Sequence, residues 1–135
     1  MKNVVLVALI VLGLSSCKKF VESVQEDLVV KAMTDGQWRV TNFKRDNTDV
    51  TASFSPYKFQ FKDDKTVEAI NNSAVESRGT WNGNAGNKSI ASNFSTGSAT
   101  VMLLNGTWQI TNNSWTFVEA TQTINNEVRV LRLDK

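Results

Sequence analysis

The side chains that could do covalent or acid–base chemistry are few in this chain of 135 residues. Cys17 is the single cysteine, and histidine is absent. A lone cysteine cannot form a disulfide within the chain. Without histidine there is no Ser-His-Asp or Cys-His catalytic arrangement and no zinc site built from histidine and cysteine. The sequence therefore excludes these sites and leaves one thiol whose purpose must be explained.

Carboxylates lie close together in sequence at Asp46 and Asp49, and again at Asp63 and Asp64. Glycoside cleavage needs two carboxylates at a defined spacing across a cleft, whereas both of these pairs lie in polar segments typical of turns. The first pair offers oxygen ligands for calcium but lacks the glycine and the terminal glutamate of an EF-hand loop. We therefore expect solvated turn residues, with no catalytic residue, no metal site, no cofactor and no enzyme activity.

The charge of the chain is small and mixed. There are 15 basic and 13 acidic residues, for a net charge of +2, and they are spread along the whole sequence. A nucleic-acid surface requires a concentrated basic patch, so we expect no nucleic-acid partner. The length suits one domain.

The first sixteen residues have the layout of an export signal. Lys2 supplies the positive start, residues 4–14 are apolar apart from Gly13, and Ser15 and Ser16 are small. A transmembrane helix needs about 20 apolar residues, so this segment is too short to span a bilayer. An ordinary cleaved signal followed by an incidental or buried thiol is one interpretation.

The segment Leu14-Ser15-Ser16-Cys17 resembles the lipobox of bacterial lipoproteins, in which a small residue precedes the cysteine that receives the lipid. The resemblance implies that residues 1–16 are removed and that Cys17 becomes the first residue. It also implies a diacylglyceryl group on the sulfur and an amide-linked acyl chain, typically palmitate. More than one acyl chain is enough for stable membrane anchoring.

The residues after Cys17 bear on localisation in the cell envelope. In lipoproteins of diderm bacteria an aspartate at the next position favours the inner membrane, and Lys18 stands there instead, so the resemblance implies the outer membrane. An acidic cluster at this place resembles the surface-export signal of Bacteroidetes. This chain has Lys18 and Lys19, with Glu22, Glu26 and Asp27 only further on. We therefore expect the periplasmic face rather than the cell surface.

Residues 20–33 have helical periodicity, because Phe20, Val24 and Leu28 lie four apart. Gly36 then favours a helix end. We expect residues 17–33 to form a lipid-anchored tether with a short helix, which docks on a domain of residues 34–135 rather than on the membrane.

After Gly36 the hydrophobic pattern changes to a period of two, as in Tyr57-Lys58-Phe59-Gln60-Phe61, which indicates strands with one buried face. We predict roughly eight strands. Their ranges are 37–45, 56–62, 65–71, 74–82, 87–94, 99–105, 106–111 with 114–124, and 127–134. Asn-Asn pairs at 71–72, 112–113 and 125–126 suit hairpin turns. The predicted fold class is all-β, an antiparallel up-and-down barrel preceded by a short helix. An open or sandwiched sheet remains an alternative.

Three tryptophans follow a glycine by two residues, namely Trp38, Trp81 and Trp108. A tryptophan on the first strand, after a short helix and a glycine, resembles the Gly-x-Trp signature of lipocalins. That resemblance implies an arginine of the last strand packed over Trp38, with Arg129 and Arg132 as candidates. The chain lacks the Thr-Asp-Tyr motif and the disulfide of the classical family. Over residues 14–133 it is similar to small lipocalin-like lipoproteins of Bacteroidetes, with Phe-x-Phe before an acidic turn and Asn-Gly-Thr-Trp near the end.

Two functions remain open. The first is binding of a small apolar or amphipathic ligand inside the barrel. Its candidate binding residues are Phe59, Phe61, Trp81, Trp108, Trp115 and Phe117, although the tryptophans among them are also candidates for core. The second is a structural or interaction lipoprotein whose solid barrel contacts an envelope protein partner through its loops. The interior volume distinguishes the two functions, because ligand pockets measure roughly 300–1,000 Å³.

Overall fold

The computed structural model describes residues 27–135. The predicted signal peptide, the predicted lipid attachment at Cys17 and the first part of the predicted helix lie outside the described residues. Within residues 27–135, no helix has the length and apolar character needed to cross a membrane.

The described chain begins in helix α1 (27–34). The backbone N–H of Asp35 still donates to the carbonyl of Lys31 at 3.1 Å, and Gly36 then adopts a φ of +84°. Glycine reaches this left-handed conformation without a Cβ clash, so the helix ends there. Met33 is buried, and Val29 and Val30 pack against the core. The short N-terminal helix is thus confirmed, and its described part packs on the sheet.

In the described part of the chain, nine antiparallel strands form one sheet with the order β2-β1-β9-β8-β7-β6-β5-β4-β3. They are β1 (Arg39–Arg45), β2 (Thr48–Asp49), β3 (Tyr57–Phe61), β4 (Thr66–Asn71), β5 (Ala74–Asn84), β6 (Ser89–Phe94), β7 (Gly106–Asn113), β8 (Phe117–Ile124) and β9 (Glu127–Asp134). Apart from the pairing of β1 with β9, neighbours in the sheet are also neighbours in sequence. The predicted all-β meander is confirmed, as is the contact between the first and last long strands.

Alternating side chains decide which face of each strand turns inward. In β3, Tyr57, Phe59 and Phe61 are buried while Lys58 and Gln60 are partly exposed. Successive side chains of a strand point to opposite faces, so one face collects the apolar groups and leaves water together. Buried residues of the other strands join these side chains in one continuous core.

The sheet curls into a half-barrel whose edges meet at one point. Trp38 and Phe59 form an antiparallel bridge, in which the N–H of each donates to the carbonyl of the other at 2.9 and 2.8 Å. Beyond the bridge, the 3₁₀ helix Thr51–Phe54 packs against β1. The ring of Phe54 stacks on that of Phe43 at 5.1 Å. The helical turn therefore supplies core packing at the incompletely closed side.

The antiparallel order creates two ends. The helix end holds α1, the turns at 62–65, 85–88 and 114–116, and Lys135. The far end holds β2, the β6–β7 connection and the turns at 72–73 and 125–126.

The predicted Asn-Asn turns have different outcomes. Asn125 and Asn126 have φ values of 51° and 64°, as a two-residue hairpin turn requires, so this turn is confirmed. The turn predicted at 71–72 lies one residue later, at Asn72 and Ser73. The pair at 112–113 lies inside β7, and Ser114–Thr116 form the turn instead.

The strand predicted at 99–105 is wrong, because this segment begins with helix α2 (Ala99–Met102). The Ser98 side chain accepts a hydrogen bond from the backbone N–H of Val101 at 3.2 Å and so caps the helix start. Val101 and Leu104, three residues apart, are both buried. A spacing of three residues is typical of a helix. It was not visible in the sequence because all four residues from 101 to 104 are apolar.

Gly79 gives a test of the strand packing. A Cβ at Gly79 would lie 2.4 Å from the backbone oxygen of Asn93 and 3.0 Å from the ring of Phe94. We therefore expect Gly79→Ala to lower the free energy of unfolding by about 1–3 kcal/mol, measured by urea denaturation. Gly86→Ala is the control, because its Cβ meets only the Asn84 side chain at 3.3 Å. The control should change stability by less than about 0.5 kcal/mol, and equal effects would contradict the packing.

Candidate functional site

The interior of the half-barrel is filled by aromatic and aliphatic side chains. Phe43 packs edge-on against Trp108 with ring centroids 5.7 Å apart, and Phe61 packs against Trp81 at 5.4 Å. The void left among Phe61, Trp108 and the surrounding aliphatic residues measures about 20 Å³. A void of that size has room for about one water molecule, whereas ligand pockets begin at roughly 300 Å³.

The six predicted ligand-binding residues do not come together at one cavity. Phe59, Phe61 and Trp108 are buried in the filled interior. Trp81 is also buried, and it borders an open pocket of about 500 Å³ on the side of β5, β6 and β7. Phe117 lies on the outer face of the sheet, where the Arg132 guanidinium stacks 4.5 Å from its ring centroid. Trp115 lies in the β7–β8 turn with 55% of its surface exposed.

The three Gly-x-Trp tryptophans share one interaction, a hydrogen bond from the indole N–H to a main-chain carbonyl. Trp38 donates to Met33 at 2.9 Å, Trp81 to Lys62 at 2.8 Å, and Trp108 to Leu104 at 3.0 Å. Burying an indole N–H without an acceptor is costly. The acceptors belong to the end of α1, the turn that follows β3 and the segment after α2, so each indole joins the core to a neighbouring segment of the chain.

The cation over Trp38 is Lys135, whose Nζ lies 5.0 Å from the indole centroid, rather than Arg129 or Arg132. The start of β1 lies beside the end of β9, since Arg39 pairs with Asp134, which places Trp38 near Lys135. Arg129 is level with Arg45 at the far end. Arg132 alternates onto the outer face, opposite to Leu131 and Leu133.

Lys135 was not among the cations predicted to lie over Trp38, although the sequence pattern of β9 could have identified it. Leu131, Leu133 and Lys135 are two apart, so the period of two assigns them to one face of β9. Antiparallel pairing of β1 with β9 then selects the last of them as the neighbour of Trp38.

The far end carries an ion-pair cluster around Glu127. Arg45 donates from both Nε and Nη2 to the two carboxylate oxygens at 2.9 and 3.1 Å, and Arg129 Nε donates to Oε1 at 2.6 Å. The hydrogen bonds from Arg45 and then Arg129 lower the pKa of Glu127 to about 2. The Arg45–Glu127 pair thus joins β1 to β9, and Arg129 binds the same carboxylate from within β9.

A second polar cluster joins β3, β5 and the start of α2. The Tyr57 hydroxyl lies 2.9 Å from both Glu76 carboxylate oxygens and 2.8 Å from the Ser98 hydroxyl. Burial is the largest cause that raises the pKa of Tyr57. The hydrogen bond from Tyr57 is the largest cause that lowers the pKa of Glu76. The pKa of Tyr57 is raised and the pKa of Glu76 is lowered, so both move further from neutral pH. The cluster is therefore suited to structural hydrogen bonding rather than to proton transfer.

Two of the aspartates predicted to lie in turns, Asp49 and Asp64, accept hydrogen bonds from residues two positions on. Asp49 accepts from the backbone N–H of Thr51 at 2.9 Å, and Asp64 from that of Thr66 at 3.0 Å. Contacts with these threonines lower the pKa of both carboxyl groups. Within residues 27–135, no three cysteine or carboxylate side chains gather in a way that could hold a metal ion.

A groove of about 620 Å³ with a mixed lining of apolar and polar side chains crosses the helix end between α1, the β5–β6 turn and the β7–β8 turn. Leu28, Val29 and Ala32 line it from the helix, and Ile110 and Trp115 line it from the sheet side. Leu28 and Trp115 are both exposed large apolar residues. We call this surface the helix-end groove. Sequence patterns missed it because Leu28 on one side and Trp115 on the other are 87 residues apart and meet only through the antiparallel order.

Comparison with solved structures shows a similarity of fold. A crystal structure of a DUF4847 family protein from Bacteroides vulgatus superimposes with a TM-score of 0.55 at 14% sequence identity, covering 78% of this chain and 96% of that protein. No protein-family model matches the chain, and no curated protein is significantly similar to it. At this identity the similarity concerns the fold alone.

The Glu127 cluster gives a test by pH. A carboxyl group with a lowered pKa stabilises the fold above its unfolded value of about 4.5, and this contribution is lost as pH falls toward 2. We expect Glu127→Gln to lower Tm at pH 7 and to reduce the decrease in Tm between pH 5 and pH 2. Asp63→Asn, which removes an exposed carboxylate, is the control. A Glu127→Gln profile parallel to that of the wild type would contradict the assignment.

Proposed function

We propose that this chain is a lipid-anchored, non-enzymatic protein of the cell envelope that contacts a protein partner through its surface. The observation that carries the proposal is the filled interior, with a void of about 20 Å³. A ligand of ordinary size would have to displace several buried aromatic side chains, each of which is already packed or hydrogen-bonded. This favours the interaction protein over binding of a small ligand inside the barrel.

The anchor is supported by the sequence of residues 14–17. A small residue precedes Cys17 at the end of an apolar run, and the lone thiol of an exported chain needs a purpose. Acylation at Cys17 supplies it and places the protein at a membrane surface. Lys18 and Lys19 favour the outer membrane and its periplasmic face, by resemblance to other lipoproteins.

The far end is the surface that we assign to the partner. It lies opposite α1, which is the described element next to the anchor in sequence. Val75, Met102 and Val128 are exposed large apolar residues of the strands and helix near this end. Protein interfaces combine apolar contacts with a polar rim, and Arg45, Arg129 and Glu127 supply polar groups there.

Cys17→Ala tests the anchor. Without the sulfur no acyl chain can be attached, so we expect the protein to move from the membrane fraction to the soluble fraction, measured by fractionation and immunoblotting. Ser15→Ala, which keeps a small residue two positions before the cysteine, is the matched control and should stay with the membrane. Membrane retention of Cys17→Ala, or an unmodified thiol in the intact mass of the wild type, would contradict the anchor.

Titration with palmitate or retinol tests the filled interior. In the Trp115→Phe variant the remaining tryptophans are all buried, so their emission reports on the core. We expect no saturable quenching and no wavelength shift with either compound, because the interior has no space to admit them. A saturable change would restore the ligand-binding function.

A further inference from the structure

We propose that the helix-end groove and Trp115 lie against the lipid surface that holds the anchor. This inference rests on the proposed lipid anchor at Cys17 and adds an orientation of the domain on the membrane. The partner is the lipid bilayer itself, contacted through its interfacial layer.

Trp115 differs from the other tryptophans of the chain. It is 55% exposed, whereas Trp38, Trp81 and Trp108 are 0–2% exposed. It forms part of the β7–β8 turn, so the fold does not require an indole at this position for its core. Tryptophan is favoured at membrane interfaces, where its ring meets the acyl boundary and its N–H meets the headgroups.

The groove extends this apolar contact onto α1. Leu28 is 44% exposed and lines the same groove as Trp115, together with Val29 and Ile110. The contact surface therefore joins the β7–β8 turn to the first residues of the helix. Leu28 and Trp115 therefore place two large exposed apolar side chains on one surface, whereas exposed apolar residues that are scattered singly need no explanation.

The length of the intervening chain keeps this surface near the lipid. Asp27 is ten residues after Cys17, a distance of about 15 Å if helical and at most about 36 Å if fully extended. The far end lies a further strand length away, about 27 Å for the eight residues of β8. The helix end is thus the part of the domain nearest to the acyl chains along the polypeptide.

Charge at the helix end is mixed. Lys88 lines the groove, and Asp27, Lys31 and Asp35 lie on or next to α1. A strong dependence on anionic lipid is therefore not expected, and the apolar contact carries the proposal. For that reason the test uses uncharged phosphatidylcholine vesicles.

The test measures quenching by phosphatidylcholine brominated in its acyl chains. The lipid-modified full-length mature protein is reconstituted in vesicles with and without the brominated lipid. In the wild type, the brominated lipid should quench only the fraction of the emission that comes from Trp115, which is the fraction lost in Trp115→Phe. The emission of Trp115→Phe itself should be unquenched. Wild-type emission in vesicles should also lie at shorter wavelength than the emission of the unanchored Cys17→Ala variant in detergent-free buffer.

A matched variant tests the orientation. Val128, at the far end, is 47% exposed, so Val128→Trp in the Trp115→Phe background moves the exposed indole to the opposite end. We expect no quenching in this double variant. Equal quenching of both positions, or an anchored wild type without quenching, would overturn the orientation while leaving the anchor intact.

Two further results would count against the proposal. Failure of the wild type to associate with vesicles, together with a bare thiol in its intact mass, would overturn both the anchor and the orientation. Trp115 emission already shifted to short wavelength in detergent-free buffer, and unchanged by vesicles, would show the groove covered by something other than lipid, such as residues 18–26 or a small molecule.

Discussion

The structure depends on three buried indoles whose N–H groups have only main-chain carbonyls to bond to. Trp38, Trp81 and Trp108 fill the interior, and each donates to a carbonyl outside the strand that carries it. A buried indole contributes a large apolar area but requires an acceptor, so the connecting segments must adopt the conformations that place those acceptors. The indole hydrogen bonds therefore tie the packing of the core to the path of the connecting segments. The side chains packed in this way leave a void of only about 20 Å³ among Phe61, Trp108 and their neighbours.

Much of the fold could be predicted because it is encoded locally. The alternation in Tyr57–Phe61 is visible without any knowledge of partners, and so is the left-handed preference of Asn125 and Asn126. The failures also have local causes. Asn112 and Asn113 could pair in β7 because Ser114–Thr116 supply the turn, and the apolar run at 99–105 has no period that separates a strand from a helix.

The candidate site was less accessible to sequence reasoning, because it depends on which segments meet. Burial explains why Phe59 or Trp81 is aromatic, yet sequence alone does not distinguish an aromatic that fills a core from one that lines a cavity. Lys135 over Trp38 follows from strand order and register rather than from a motif. The helix-end groove requires α1 and the β7–β8 turn to be neighbours, which only the curled sheet brings about. The membrane-facing and partner-facing roles that we propose for the two ends follow from the same geometry.

Hydrogen exchange of the four indole N–H protons, followed by NMR at neutral pH, tests the filled interior most directly. Trp38, Trp81 and Trp108 should exchange only through global unfolding, as slowly as the central strands, while Trp115 should exchange at once. If any of the first three exchanged as fast as Trp115, its indole would be open to water and the interior would not be solid.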